Sequence, residues 1–379
     1  MQLGVIALVA TLASGDANLL VQVGDLLAGF KPSHAYTIAD LRQAGRPYMD
    51  VVSGNGSVLK YRTEWEWAGS YHGHETVEQT SLAIDGQPAV VGSGLYYAAE
   101  QYADLSRTTL LGPGYRLTHD MRMHSGRIDE VAHFTGLPGG NFVEVFYGFL
   151  GTRSNMLTDW AAYSDTRTLL GSGHTIANDD ALPPVKLPAG ATSVAQYNPY
   201  NGTGVLTRWE VPAGIKSGPF IQDRAGDNKL YLPLDTVGSP AGFDFTIRQS
   251  MIFFSAPPET WKAVAAELGV GDFNGDGVFN NFDIGPFELA LADPAAFRAA
   301  YPFVVAPAAI GDLNGNGLLD NFDIGLFEDR LASRGHVARS TPSAAASGAA
   351  QVPEPSTFLL GSLAALVLLA RRRCSNSHA

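Results

Sequence analysis

Two hydrophobic periods run along this chain, and they change places near residue 258. Before that point apolar and polar residues alternate in short runs broken by Gly, Pro, Asn and Asp, with little helical spacing after about Leu41. The clearest run is 243–254, where Phe243, Phe245, Ile247, Met251 and Phe253 share one face and Asp244, Thr246, Arg248 and Ser250 the other. Residues 115–124 and 127–134, joined by Ser125-Gly126, predict a hairpin with a two-residue turn. Further strands are predicted at 61–67, 76–84, 89–96, 142–150, 192–197, 205–210 and 229–234. So many short strands imply a mainly β fold, a large antiparallel β-sandwich over residues 18–257. Apolar residues at helical spacing then appear at 258–268 and again after two polar loops, which predicts a small α-helical segment over 258–331.

The predicted hairpin fixes where its charges point. Pairing His124 with Arg127 sets Leu117 opposite Phe134, His119 opposite Ala132 and Met123 opposite Ile128. His119 and Glu130 then lie diagonally on the apolar face, within reach of each other. The other face carries Arg116, Asp120, Arg122, His124, Asp129 and His133, with Arg122 facing Asp129. Two readings follow. One is a ligand-facing wall for a polar substrate such as a sugar, with His119 and Glu130 as candidate catalytic groups. The other is a solvated sheet face with His119–Glu130 as a satisfied buried pair, the more common fate of such residues.

The densest chemistry is a pattern written twice. The first copy, GDFNGDGVFNNFDIGPFELAL, begins at Gly271, and the second, GDLNGNGLLDNFDIGLFEDRL, begins at Gly311. Each places oxygen-bearing side chains at loop positions 1, 3, 5, 9 and 12 with glycine at 6, the register of a calcium loop of about 12 residues. In the first these are Asp272, Asn274, Asp276, Asn280 and Asp283; in the second, Asp312, Asn314, Asn316, Asp320 and Asp323. Val278 and Leu318, at position 7, offer a backbone carbonyl. Calcium is a hard cation that takes roughly six to eight oxygens, which suits this spacing of Asp and Asn. Three carboxylates per loop repel one another unless a cation is present, so two calcium ions are expected and folding should be linked to them.

The repeats depart from the ordinary EF-hand. The last ligand is Asp, and VVAPAAI before the second copy cannot supply a normal entering helix. In both respects the pair resembles a type I dockerin, although the loops start forty residues apart, at 272 and 312, with ADPAAFRAAYPFVVAPAAI as an insert. The resemblance implies two copies packed face to face with pseudo-twofold symmetry. It also implies that positions 10 and 11, here Asn281 and Phe282, then Asn321 and Phe322, face a cohesin-like partner. Phe282 and Phe322 can equally be core, and packing is the commoner fate of a large apolar side chain.

The ends of the chain read as addresses. Pro353-Glu354-Pro355, an apolar run from Phe358 to Ala370, and Arg371, Arg372 and Arg373 follow in that order at the C-terminus. This order resembles the PEP-CTERM signal, which implies export, a C-terminal transmembrane helix within 353–373, a cytoplasmic tail at 374–379 and cleavage by an exosortase. Residues 1–17 look like a signal peptide without a basic start, and 332–352 like a flexible linker.

Composition narrows the partners. A formal net charge of −12 argues against nucleic acid and an anionic lipid surface as partners, and 45% hydrophobic residues support a sizeable core. The single cysteine, Cys374, lies beyond the Arg cluster, so no disulfide staples the body and calcium is the expected substitute. His72 and His74 share a strand face without an identifiable third metal ligand. Trp65, Trp67, Tyr96, Tyr97, Tyr197 and Tyr200 are enough aromatics to stack on sugar rings, or to fill a sandwich core. Function at this level is open between a recognition domain of the cell surface or matrix, with carbohydrate as a candidate ligand, and an extracellular carbohydrate-active enzyme.

Overall fold

The structure, a computed structural model, describes residues 17–49, 55–61, 66–69, 73–112, 114–137, 144–153, 156–175, 184–211, 216–223, 227–235 and 244–337. Within these, alternation produces two large sheets, of twelve and ten strands. The ten-stranded sheet is antiparallel throughout and runs Leu169–His174, Asp159–Tyr163, Ser193–Asn198, Thr203–Glu210, Asp244–Ser255, Arg127–Gly136, Tyr115–His124, Ala103–Leu111, Glu75–Ile84, Gln87–Ala89. In the twelve-stranded sheet one pair, Leu19–Val23 with Tyr96–Ala99, is parallel.

The inner faces of the two sheets form the core. Leu19, Phe30 and Ile38 of the twelve-stranded sheet meet Met121, Met123, Ile128 and Met251 of the other. Further along, Leu230 and Leu232 meet Leu117, Phe134 and Phe245. Phe134 and Phe245 are register partners on adjacent strands and stack at 5.1 Å, an arrangement that fixes the register as well as burying surface. The predicted hairpin forms with the expected register, from His124↔Arg127 to Leu117↔Phe134.

Two strand predictions shift. Residues 61–67 divide between Asn55–Tyr61 and Glu66–Gly69, with 62–65 outside the described residues. The run 89–96 is a connection between Gln87–Ala89 and Tyr96–Ala99; Gly92 and Gly94 lie inside it, and Gly94 has φ +73°, which breaks a strand.

Among the described residues five helices follow the sheets: α1 (Trp261–Glu267), α2 (Ile284–Ala292), α3 (Pro294–Ala300), α4 (Pro307–Gly311) and α5 (Ile324–Val337). The insert between the loops is therefore partly helical, with Asp293 accepting from Ala296 N to cap α3. Helix α5 continues past 331, so the segment expected to be linker begins with helical residues.

Helix α1 lies on the outer face of the ten-stranded sheet. Its Trp261 stacks on Tyr197 at 4.8 Å, and Tyr163, Ala195, Leu206 and Phe254 complete that apolar layer. Residues up to Ala332 form one unit, so the repeat segment belongs to the same body as the sandwich. No helix among the described residues is long and apolar enough to cross a membrane. The expected signal peptide, apart from Ala17, and the sorting-signal residues Pro353, Glu354, Pro355, Arg371, Arg372 and Arg373 lie outside the described residues.

Candidate metal centre

Both repeats fold into the same loop, and the hydrogen bonds show why. Glycine at position 6 adopts a left-handed backbone, φ +85° at Gly277 and +87° at Gly317, which a residue with a β-carbon resists. The chain can then fold back over its first carboxylate. Asp272 accepts from Gly275 N (2.9 Å) and Gly277 N (3.0 Å); Asp312 accepts from Gly315 N (2.8 Å) and Gly317 N (2.8 Å). Side-chain oxygens of Asn274, Asp276 and Asn280 each accept from the backbone N–H two residues on, as do those of Asn314, Asn316 and Asp320.

The closing carboxylate ties the loop together. Asp283 accepts from Phe273 N, Asn274 N and Asn280 N, and Asp323 from Leu313 N, Asn314 N and Asp320 N, at 2.8–3.1 Å. Both are fully buried, as are Asp272 and Asp312. Burial pushes the Asp283 carboxyl up to about 6, and the neighbouring charges of Asp272 and Asp276 push the same way.

Behind the loops the two copies share one core. Phe287 and Phe327, equivalent residues forty apart, stack on each other at 4.2 Å. Phe273 and Phe279 pack edge-on against Phe327. Equivalent residues meeting face to face is the packing a pseudo-twofold repeat requires. Asn281, Phe282, Asn321 and Phe322 open the short turns before α2 and α5. Here the expectation of core placement is corrected: Phe282 is 78% exposed and Phe322 79%. Each follows an N-cap side chain that holds its backbone N–H, which turns the ring outward.

The donor set suits a hard divalent cation, since every side-chain ligand is an oxygen. Among the described residues no three His, Cys, Asp or Glu side chains converge on one point as a metal site of their own. In the calcium reading the remaining ligands are Asn oxygens and the carbonyls of Val278 and Leu318. The first loop also holds a cation of the protein's own. Arg127 of the hairpin forms a very short ion pair with Asp272 and donates to Asp129 at 2.8 Å. Arg127 therefore supplies positive charge at the first carboxylate of this loop.

That pair also corrects the solvated-face expectation. Asp129 is fully buried, and Arg127 and His124 nearly so, because the first loop lies over them. Arg116 and His133, farther along, remain partly exposed. Arg122 faces Asp129 in register but pairs with Asp104 at 2.7 Å and lies 4.8 Å from the Phe303 ring. Burial alone would lower the Arg127 pKa, yet Asp129 and Asp272 outweigh it and hold it raised. Arg208, which donates to Leu268 O, is pushed down to about 10 by burial first and then by Arg127 and Arg167. Glu210 binds Arg298 (2.8 Å) and Ala306 N (3.0 Å), and Arg248 donates to Pro302 O. Single residues on alternating outward positions gave no sequence signal that they formed a dock.

His119 and Glu130 do come together, Nε2 to Oε1 at 3.7 Å, but both are buried. Arg107 donates to His119 Nδ1, Gln249 donates to Glu130, and Glu75 pairs with Arg107 at 3.3 Å. Burial, then the Arg107 charge, holds His119 well below its ordinary pKa and therefore neutral. Among the described residues the pair therefore sits inside a buried polar cluster with Arg107, Glu75 and Gln249. Of the paired histidines, His72 lies outside the described residues, and Trp65 does too; the partner of Arg107, Glu75, was missed as a core residue because it sits in a polar run.

Residues 351–373 match the PEP-CTERM protein-sorting motif, which marks the chain as exported and exosortase-processed, with the C-terminal membrane-anchoring region typical of that motif. No curated protein matches the sequence. Solved structures similar to it include an aldose 1-epimerase candidate from Escherichia coli K12, 11% identical with a TM-score of 0.40, covering 64% of this chain and 100% of that one. An alpha-N-acetylgalactosaminidase from Bifidobacterium bifidum is 11% identical with a TM-score of 0.42, and the alignment covers 65% of this chain and 38% of the enzyme. A galactose mutarotase-like protein from Lactobacillus casei ATCC 334 is 7% identical at 0.40, covering 63% and 100%. Scores this low carry no functional weight.

Proposed function

We propose that this exported protein is a calcium-braced surface or matrix protein, in which a dockerin-like pair of loops clamps α1 and the outer sheet face of a recognition sandwich. The observation that carries this reading is the duplicated loop, in which the same register of Asp and Asn oxygens is wrapped around a left-handed glycine and the first and last carboxylates of each copy are buried. Asp272, Asn274, Asp276, Asn280 and Asp283, with the Val278 carbonyl, would hold one ion; Asp312, Asn314, Asn316, Asp320 and Asp323, with the Leu318 carbonyl, the other. Calcium would supply the charge balance that three carboxylates per loop lack. The exposed Asn281–Phe282 and Asn321–Phe322 pairs support a protein-docking face, in keeping with the dockerin resemblance. For the sandwich, carbohydrate is the proposed ligand class, supported by Tyr200, an aromatic that is 89% exposed and free to stack on a sugar ring. The enzyme alternative finds no support in the buried His119–Glu130 pair.

Calorimetry of the full chain with calcium chloride tests the metal. Uptake of two ions, with resistance to proteolysis of 258–331 lost on chelation, is the expected result. No heat at millimolar calcium removes the reading. For the ligand, a glycan array read against Tyr200→Ala should show loss of binding.

A further inference from the structure

The two loops have the same ligand register but do not face the same charges. Asp272 carries the guanidinium of Arg127 on Oδ2, the oxygen that also accepts from Gly277 N. Around it the sandwich presents Arg127 and Arg208 as cations, Asp129 as an anion and His124, whose pKa is lowered, chiefly by burial. Among the described residues Asp312, the counterpart of Asp272, accepts from backbone N–H groups of its own loop. No Lys or Arg among the described residues forms an ion pair with Asp312, Asp320 or Asp323; Arg167 lies near enough to feel the charges of Asp312 and Asp323, and one of its N–H groups donates to Ala309 O at 2.8 Å.

We infer that Arg127 is a built-in counter-cation that makes the first loop the weaker calcium site and leaves the second as the one that responds to calcium. This rests on the calcium reading above. A divalent ion held by Asp272 shares that carboxylate with a buried guanidinium, and like charges repel most where water is excluded. The same guanidinium compensates part of the first loop's negative charge when calcium is absent, so that loop keeps its shape. The second loop has Arg167 nearby but no guanidinium seated on its first carboxylate, so its order depends more on the metal.

The test compares two full-length chains, each with one loop silenced at position 12: Asp283→Ala leaves the second loop, and Asp323→Ala leaves the first. By calorimetry with calcium chloride, the second loop alone should bind at least about tenfold more tightly than the first alone. Adding Arg127→Met to the Asp323→Ala chain should tighten the first loop and narrow the gap to about threefold or less. Because that change strands Asp129, the Arg127→Met/Asp129→Asn pair serves as the second variant. Equal affinities in the parent chains, or a tighter first loop, overturn the inference and leave the calcium reading standing. So does a gap that neither Arg127 variant moves. If the unaltered chain takes up no calcium, the calcium reading falls and this inference with it.

Discussion

The first and second loops are nearly the same object locally and different objects in their surroundings. Each turns on a left-handed glycine, caps its own N–H groups with Asp or Asn side chains at the same five positions and ends in a fully buried Asp. Their core phenylalanines stack as a symmetric pair. Yet the first loop is fastened to the hairpin through Arg127, while the second touches the sandwich through Arg167 and a backbone carbonyl. The lesson is one of range. Side chains that cap a backbone two or three residues away make the same shape wherever the sequence recurs. The charges outside the loop come from distant strands and need not recur.

The largest effect should come from removing what the loops share. Phe327→Ala takes away the ring that Phe287, Phe273 and Phe279 pack against, at a cost of about 3–5 kcal/mol. In urea denaturation the helical segment should then lose order at both loops together; loss at one loop alone would break the symmetric picture.

Removing what they do not share comes next. Arg127→Met leaves two buried carboxylates without their cation and should destabilise the chain by about 3 kcal/mol. Arg167→Met forfeits one hydrogen bond to a carbonyl and should cost about 1 kcal/mol. Equal losses in the two denaturation curves would contradict the difference in fastening.

A pH titration supplies a control that belongs to neither loop. His119 is held neutral in the fold, so below its ordinary pKa of 6.5 the unfolded chain binds a proton that the folded chain does not. Stability from this group is therefore full above pH 6.5 and falls as pH drops, with a slope approaching about 1.4 kcal/mol per pH unit. His119→Gln should flatten the fall between pH 7 and pH 5 in thermal denaturation while leaving both calcium affinities unchanged. An unchanged pH profile would sink the assignment.

The smallest effect is expected at the exposed rings. Phe282→Ala and Phe322→Ala should each change stability by no more than about 0.5 kcal/mol, and by the same amount. A loss of several kcal/mol from either would mean that the ring is packed after all.

Much of the local structure was legible in the sequence because it is set by neighbours along the chain. The hairpin at Ser125-Gly126 formed in the expected register, since alternation allows only one register to bury Leu117, Phe134 and Ile128 together. The loops followed from their Asp, Asn and Gly spacing. The connection at 89–96 misled, because alternating apolar residues looked like a strand while Gly92 and Gly94 interrupted it. Phe282 and Phe322 misled in the other sense: ring size argued for burial, and the cap geometry turned them out.

By itself, then, the sequence determined the two loop shapes, the strand alternation of the body and the sorting motif at 351–373. Each is encoded in residues close together, where backbone and side chain settle the matter without help. Only the tertiary structure decided that Arg127 reaches Asp272, 145 positions away, and that Asp129 is buried rather than solvated. A charge's environment is the sum of everything folded against it, and alternation says which way a side chain points without saying what it will meet.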